Sequence, residues 1–241
     1  MDTFVLVRTF VGTSGFSYDP WRGPFYPEDL AAEEMLTFYA SKLDAVEINN
    51  TFYRMPKPEV VARWRSQVPE HFRFAVKASR RITHQAKLAG TGELLTYLHQ
   101  SLQKLEGTLG CVLFQLPKYV RKNVELLSTF LDELPEGLHP VFEFKHASWT
   151  EDDAVALLRD RRASLCANDE ECDGLPPLVV TSKLGYLRLR QQDYDDATLK
   201  TLVANIRGTG WDDAFVFFKH EDAGAGPRLA ARCKALFAES A

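Results

Sequence analysis

No apolar run in this sequence approaches the roughly 18 residues of a membrane span, so a membrane-crossing helix is not expected. The stretch from Phe4 to Val11 is too short for a signal peptide and is interrupted by Arg8, and a soluble, cytoplasmic protein is expected. Cysteine is scarce. Cys111, Cys166, Cys172 and Cys233 fall into no paired metal spacing, and three of them sit in apolar or helical patterns where a thiol acts as a small hydrophobe. There is no His-x-x-x-His and no clustered acidic spacing, so no metal centre is expected and the cofactor is left unassigned. No Gly-x-Gly-x-x-Gly follows the first strand, which counts against a dinucleotide-binding open sheet. Low-complexity stretches, long charge blocks and linkers are missing too. The net charge of −4 excludes a protein that coats nucleic acid or an anionic membrane with its whole surface, but it leaves room for a local basic cleft.

What is present is a regular alternation. The 241 residues are 45% apolar and 26% charged, enough for a substantial core, and the length suits one α/β barrel of about 250 residues. A single domain over residues 1–241 is expected. Strand signals at 5–11, 45–48, 72–79, 110–116, 141–145, 163–167, 185–190 and 214–218 alternate with helical ones at 27–43, 57–67, 92–106, 121–134, 149–161, 197–207 and 228–239. A full helix is hard to find between the sixth and seventh strands, where only the short segment 176–182 is available. Strands spaced by helices imply a parallel sheet with right-handed crossovers, and eight such units close as a (β/α)8 TIM-type barrel. A doubly wound open sheet is the alternative.

Glu47 lies between Val46 and Ile48 in an apolar strand signal. Alternation sends its carboxylate to the opposite face, and that face must be polar, because an apolar interior makes an unpaired charge prohibitive. Glu143 between Phe142 and Phe144 repeats the arrangement, and Lys77, Gln115 and Arg188 share its parity on three further strands. Functional groups of such barrels come from the C-terminal strand ends and the loops that follow. Glu47, Lys77 and Glu143 are therefore the expected catalytic residues. Asn49, Gln115, Lys145, Asp169 and Arg188 are expected around the substrate. The structural alternative is an internal ion-pair layer without chemistry. The small-residue turn holding Gly12 and Ser14 offers backbone N–H donors to an anion. Tyr18 and Trp21 belong to an aromatic loop that forms either a lid packed on the barrel or a wall that stacks on a planar or sugar-like ligand.

Six ordered motifs carry a resemblance over nearly the whole chain. They are Gly12-Thr13-Ser14-Gly15-Phe16 with Tyr18 and Trp21; Phe25-Tyr26-Pro27; Glu47-Ile48-Asn49-Asn50-Thr51-Phe52-Tyr53; Phe74-Ala75-Val76-Lys77-Ala78 with Thr83-His84; Leu113-Phe114-Gln115-Leu116-Pro117; and Phe142-Glu143-Phe144-Lys145-His146 with Ser148-Trp149. They resemble the YecE-like family, also called domain of unknown function 72. The resemblance implies a TIM-type barrel and adds Tyr53, His84, His146 and Trp149 to the expected substrate-binding residues. It supplies no reaction. The chain departs from the family pattern at Lys145, where arginine is usual, at Arg190, where histidine is usual, and at Lys219 and His220, where an Asn-Asn pair is usual.

Positive charge gathered at the strand ends of an acidic protein points to an anion, with phosphate as the expected group. The leading expectation is a hydrolase or lyase acting on a phosphate-bearing substrate such as a sugar phosphate, a nucleotide or a nucleic-acid end. The alternatives are a noncatalytic barrel that binds nucleic acid or a partner, and a glycoside hydrolase using Glu47 and Glu143, whose acid the surrounding cations would disfavour. Lys77 as a Schiff-base amine is a further reading. Glu143→Gln separates catalysis from structure: an unchanged or raised melting temperature is expected of a catalytic carboxylate.

Overall fold

The computed structural model describes residues 7–239, and Val5 and Leu6 of the expected first strand lie outside the described residues. Eight parallel strands pair in sequence order and close on themselves: β1 (Arg8–Ser14), β2 (Ala45–Ile48), β3 (Arg73–Lys77), β4 (Leu109–Leu116), β5 (Pro140–Phe144), β6 (Ser164–Asn168), β7 (Leu184–Leu189) and β8 (Asp213–Phe218). Seven helices cover the outside: α1 (Met35–Ala40), α2 (Pro58–Ser66), α3 (Gly92–Leu102), α4 (Val124–Asp132), α5 (Asp152–Asp160), α6 (Asp196–Arg207) and α7 (Ala225–Glu239). The connection from β6 to β7 has no helix. Among the described residues no helix is long and apolar enough to cross a membrane.

Period-two alternation sorts the strand residues into two cores. Outward residues such as Val46, Phe74, Phe114, Phe142, Leu187 and Val216 join the helices in the larger one. Inward residues Ala45, Ala75, Cys111, Leu113, Val141, Tyr186, Phe215 and Phe217 fill the barrel. The helices start on local chemistry. The side chain of Asn123 accepts from the Leu126 amide at 2.9 Å to cap α4, Asp195 accepts from the Thr198 amide at 2.8 Å to cap α6, and Pro58 opens α2.

Two sequence-based expectations need correction. The segment 27–43 is not one helix: a 3-10 turn at Ala32–Glu34 leads into the six-residue α1. The Arg22 guanidinium donates to the carbonyl oxygens of Glu28 and Leu30 at 3.1 and 2.7 Å, so these acceptors serve a side chain instead of a helix ladder. Gly12 to Ser14 are strand, not turn. A Cβ on Gly12 would lie 1.8 Å from the carbonyl oxygen of Ala45, which explains glycine at this strand contact. The Thr13 amide donates to the Tyr39 hydroxyl at 2.8 Å and the Gly15 amide to the Glu47 carbonyl at 2.8 Å. These two donors are therefore not free for an anion.

Candidate functional site

At the C-terminal end of the barrel seven of the eight strands each contribute one inward polar side chain: Ser14, Glu47, Lys77, Gln115, Glu143, Asn168 and Arg188. Arg188 is the hinge of the layer. One terminal nitrogen donates to Glu47 Oε1 at 2.8 Å and the other to Glu143 Oε2 at 2.6 Å, and all three side chains are at least 98% buried. Glu47 also accepts from Ser14 Oγ at 2.8 Å, Asn49 Nδ2 at 2.9 Å and the Tyr186 hydroxyl at 2.6 Å. Glu143 accepts from Gln115 Nε2 at 2.8 Å and from Asn168 Nδ2, and Lys145 Nζ stands 3.1 Å from its Oε1. A carboxylate has about four acceptor positions, and four donors surround each of these two.

Burial alone would raise the pKa of Glu47, but the charge of Arg188 and the donors from Tyr186, Asn49 and Ser14 outweigh it and hold the carboxylate below the usual range. Glu143 follows the same balance: burial opposes ionisation, and Arg188, Lys145 and Arg190 bring the pKa down to about 2. Arg188 feels the converse. Its burial would lower its pKa, and the two carboxylates drive it well above the ordinary value. Both glutamates are anions locked onto a cation.

Lys77 is different. Its ammonium donates to Gln115 Oε1 at 2.7 Å and lies 4.4 Å from the centre of the Phe52 ring, and among the described residues no carboxylate pairs with it. Burial first, then the charge of Arg188, lowers its pKa to about 8 against the opposing pull of Glu47 and Glu143. His84 packs edge-on against the same Phe52 ring, 4.9 Å between centres, and burial and Lys77 depress its pKa.

Around the rim Glu170 pairs with Lys145 and with Arg190 Nη1 at 3.0 Å, and Arg190 Nη2 is 3.8 Å from Glu143 Oε1. Tyr18 donates to the Ser14 carbonyl at 2.8 Å and so stays near the mouth. Tyr53 is exposed and packs on Phe52, and Lys219 is exposed just past β8.

Four expected site residues stand elsewhere. Trp21 is fully buried among Tyr18, Phe25 and Tyr26, so the lid reading holds for it and its ring is not a ligand wall. Trp149 is buried, stacks 4.3 Å from Phe144 and donates to the Val120 carbonyl at 2.9 Å. His146 accepts from the Ser148 amide at 3.1 Å and caps a 3-10 turn. Asp169 lies behind the barrel wall, accepting from the Arg190 amide at 2.7 Å and from the buried Tyr194 hydroxyl. β6 runs through Asn168, so the alternation places Asn168 inward and Asp169 outward. Asn168, Tyr186 and Glu170 were missed. Parity flags the first two, being two residues from Cys166 and Arg188 on their strands, whereas Glu170 sits on a loop that no periodicity reaches.

No group of three or more His, Cys, Asp or Glu among the described residues is placed to hold a metal ion. The family model for the protein of unknown function DUF72 matches residues 10–241. The chain belongs to the DUF72 family. The fold of a DUF72 family protein from Thermotoga maritima matches it with a TM-score of 0.83 at 26% identity, covering 96% of this chain and 99% of that one. A DUF72 family protein from Enterococcus faecalis matches with a TM-score of 0.77 at 21% identity, covering 97% and 99%. The UPF0759 protein YecE of Escherichia coli is 38% identical over 109 residues, 45% of this chain and 40% of that protein. The chain thus spans less than half the length of the curated relative it matches there.

Proposed function

We propose that the C-terminal mouth of this DUF72 barrel is the active site of a lyase-type enzyme for a small phosphate-bearing carbonyl compound, with Lys77 as the reacting amine. The observation that carries this reading is the pairing pattern: Glu47, Glu143 and Arg188 saturate one another, while Lys77 is half-buried beside them with, among the described residues, only an amide oxygen and an aromatic face as partners. A pKa of about 8 leaves part of the amine neutral near physiological pH. The neutral amine adds to the substrate carbonyl carbon. Its oxygen leaves as water with one amine proton and one proton from solvent, and the resulting iminium accepts the electron pair of the bond that breaks next. Arg188 beside the amine favours its neutral form, and Lys145 and Arg190 at the rim suit a phosphate. Glu47 and Glu143 hold charge rather than transfer protons, because their acceptor positions are filled and their pKa values lie low. This weighs against the glycosidase reading.

A second reading has its own support. The full saturation of the Glu47, Arg188 and Glu143 triad is what a structural ion layer in a noncatalytic binding barrel would also need. Borohydride trapping separates the two. The protein is mixed with phosphorylated aldehydes and ketones of two to six carbons, reduced, and read by intact mass and peptide mapping. One adduct on Lys77, absent in Lys77→Met, is expected. Adducts scattered over surface lysines at equal yield in both proteins would remove the Schiff-base reading.

A further inference from the structure

A cleft of about 830 Å3 opens at the opposite, N-terminal end of the barrel, far along the strands from the polar layer. Its floor is aromatic: Phe10 and Phe215 stack with ring centres 4.9 Å apart. Five cationic side chains, Arg8, Arg73, Arg159, Arg162 and Lys183, line it against two carboxylates, Asp212 and Asp213. The two carboxylates are already engaged. Arg8 holds Asp213 through two hydrogen bonds of 2.6 and 2.9 Å, and Lys183 is 3.9 Å from Asp212.

That leaves three guanidinium groups around one concavity with no carboxylate in ion-pair distance among the described residues. Arg73 uses one terminal nitrogen on the carbonyls of Glu70 and Phe72, at 2.7 and 2.9 Å, and lies 5.4 Å from the centre of the Phe10 ring. Arg159 uses Nε on the Val180 carbonyl at 3.1 Å. In both cases these hydrogen bonds hold the side chain and leave further N–H donors over. Three guanidinium groups lining one cleft of a chain of net charge −4 are a local excess of positive charge, which Asp213 offsets only at Arg73. A multivalent anion would relieve it, and guanidinium forks match phosphate oxygens in pairs.

We infer that the N-terminal face of the barrel is a second binding site, separate from the mouth, for a small polyphosphate anion such as pyrophosphate, held by Arg73, Arg159 and Arg162. It does not depend on the reaction assigned to Lys77.

The test is a thermal melt of the full chain with sodium pyrophosphate at constant ionic strength, with sodium chloride and sulfate as controls. A saturable rise of about 5 to 10 °C is expected at a hundredfold excess over the dissociation constant. Arg73→Gln with Arg162→Gln should abolish the pyrophosphate shift while the ligand-free melting temperature stays level or rises, because repulsion is removed. Arg159→Gln is the second variant should that pair fold poorly, and it should weaken the shift at least tenfold in midpoint concentration. Lys77→Met should keep the whole shift, which locates the ligand away from the mouth. A shift matched by sulfate, or unchanged in the arginine variants, overturns the site. Tight binding of an oligonucleotide that depends on the same arginines, with no response to pyrophosphate, would overturn it in favour of a nucleic-acid surface.

Discussion

Arg188→Met should lower the melting temperature by about 6 to 20 °C at pH 7.5, the equivalent of about 3 to 5 kcal/mol for a protein of this size. The substitution keeps the volume inside the barrel roughly filled but leaves Glu47 and Glu143, both buried, without the cation that each contacts at under 3 Å. In the wild-type protein the pKa values of both carboxylates lie below the ordinary range, so their contribution to stability is complete above the unfolded value and is lost as the pH falls through the folded one. Without Arg188 the burial that opposes ionisation is no longer outweighed, above all at Glu47. The deficit should therefore be largest at neutral pH and shrink as acid neutralises the stranded carboxylates. Arg188→Lys should fall between, because an ammonium cannot fork to two carboxylates on different strands. Melts of the three proteins at pH 7.5 and 5.5 decide the matter: a loss below 3 °C, or one that grows in acid, would show that the triad is not what holds this layer.

Glu143→Gln carries the second large effect, and its expected sign is the reverse of what the sequence suggests for a catalytic carboxylate. A folded pKa of about 2 against an ordinary 4.5 corresponds to roughly 3 kcal/mol of stability at neutral pH. Glutamine keeps some of the hydrogen bonds but leaves Arg188 half-paired, and it removes the partner 3.1 Å from Lys145. We expect a loss of about 2 to 3 kcal/mol at pH 7. Since the carboxylate pKa is depressed by folding, the advantage of the wild type is present above about pH 4.5 and disappears as the pH falls toward 2. Urea titrations of both proteins at pH 7, 5 and 4 should show the gap beginning to close at the acid end. A gap of zero at pH 7 would return Glu143 to the list of strained catalytic groups.

The barrel and its polar layer were legible because two periods coincide in the chain: strands alternating with helices give the topology, and a charged residue flanked by apolar ones gives the face. Glu47, Lys77, Gln115, Glu143 and Arg188 all obeyed that parity. Asp169 failed by one residue, since ending the sixth strand at Ala167 instead of Asn168 moves the inward position to its neighbour. Trp21 and Trp149 failed for another reason. A loop aromatic gains as much by closing the outer shell as by facing a ligand, and nothing in its own sequence neighbourhood distinguishes the two. Both closed the shell. The pairing of Lys145 and Arg190 with Glu170 was not legible because it joins a strand end to an irregular loop. The four arginines of the N-terminal cleft come from three separate regions of the chain and converge only in three dimensions.

The helix missing between β6 and β7 has a dynamic consequence. β6 is held to β5 through only two residue pairs, Val141 with Ser164 and Phe142 with Leu165, and it is covered by α5 before it but by no helix after it, so that Leu165 remains only partly covered. A cooperative unit with few packed neighbours opens at lower free energy than the rest of its domain. This seam is where the closed cylinder parts first, and amide hydrogens along β6 are the ones to exchange with solvent ahead of those of the other strands. Parting it separates Asn168 from Glu143 and carries Glu170 away from Lys145. The same slit that loosens the wall thus unlatches the rim, giving a rigid barrel one side on which its mouth can widen.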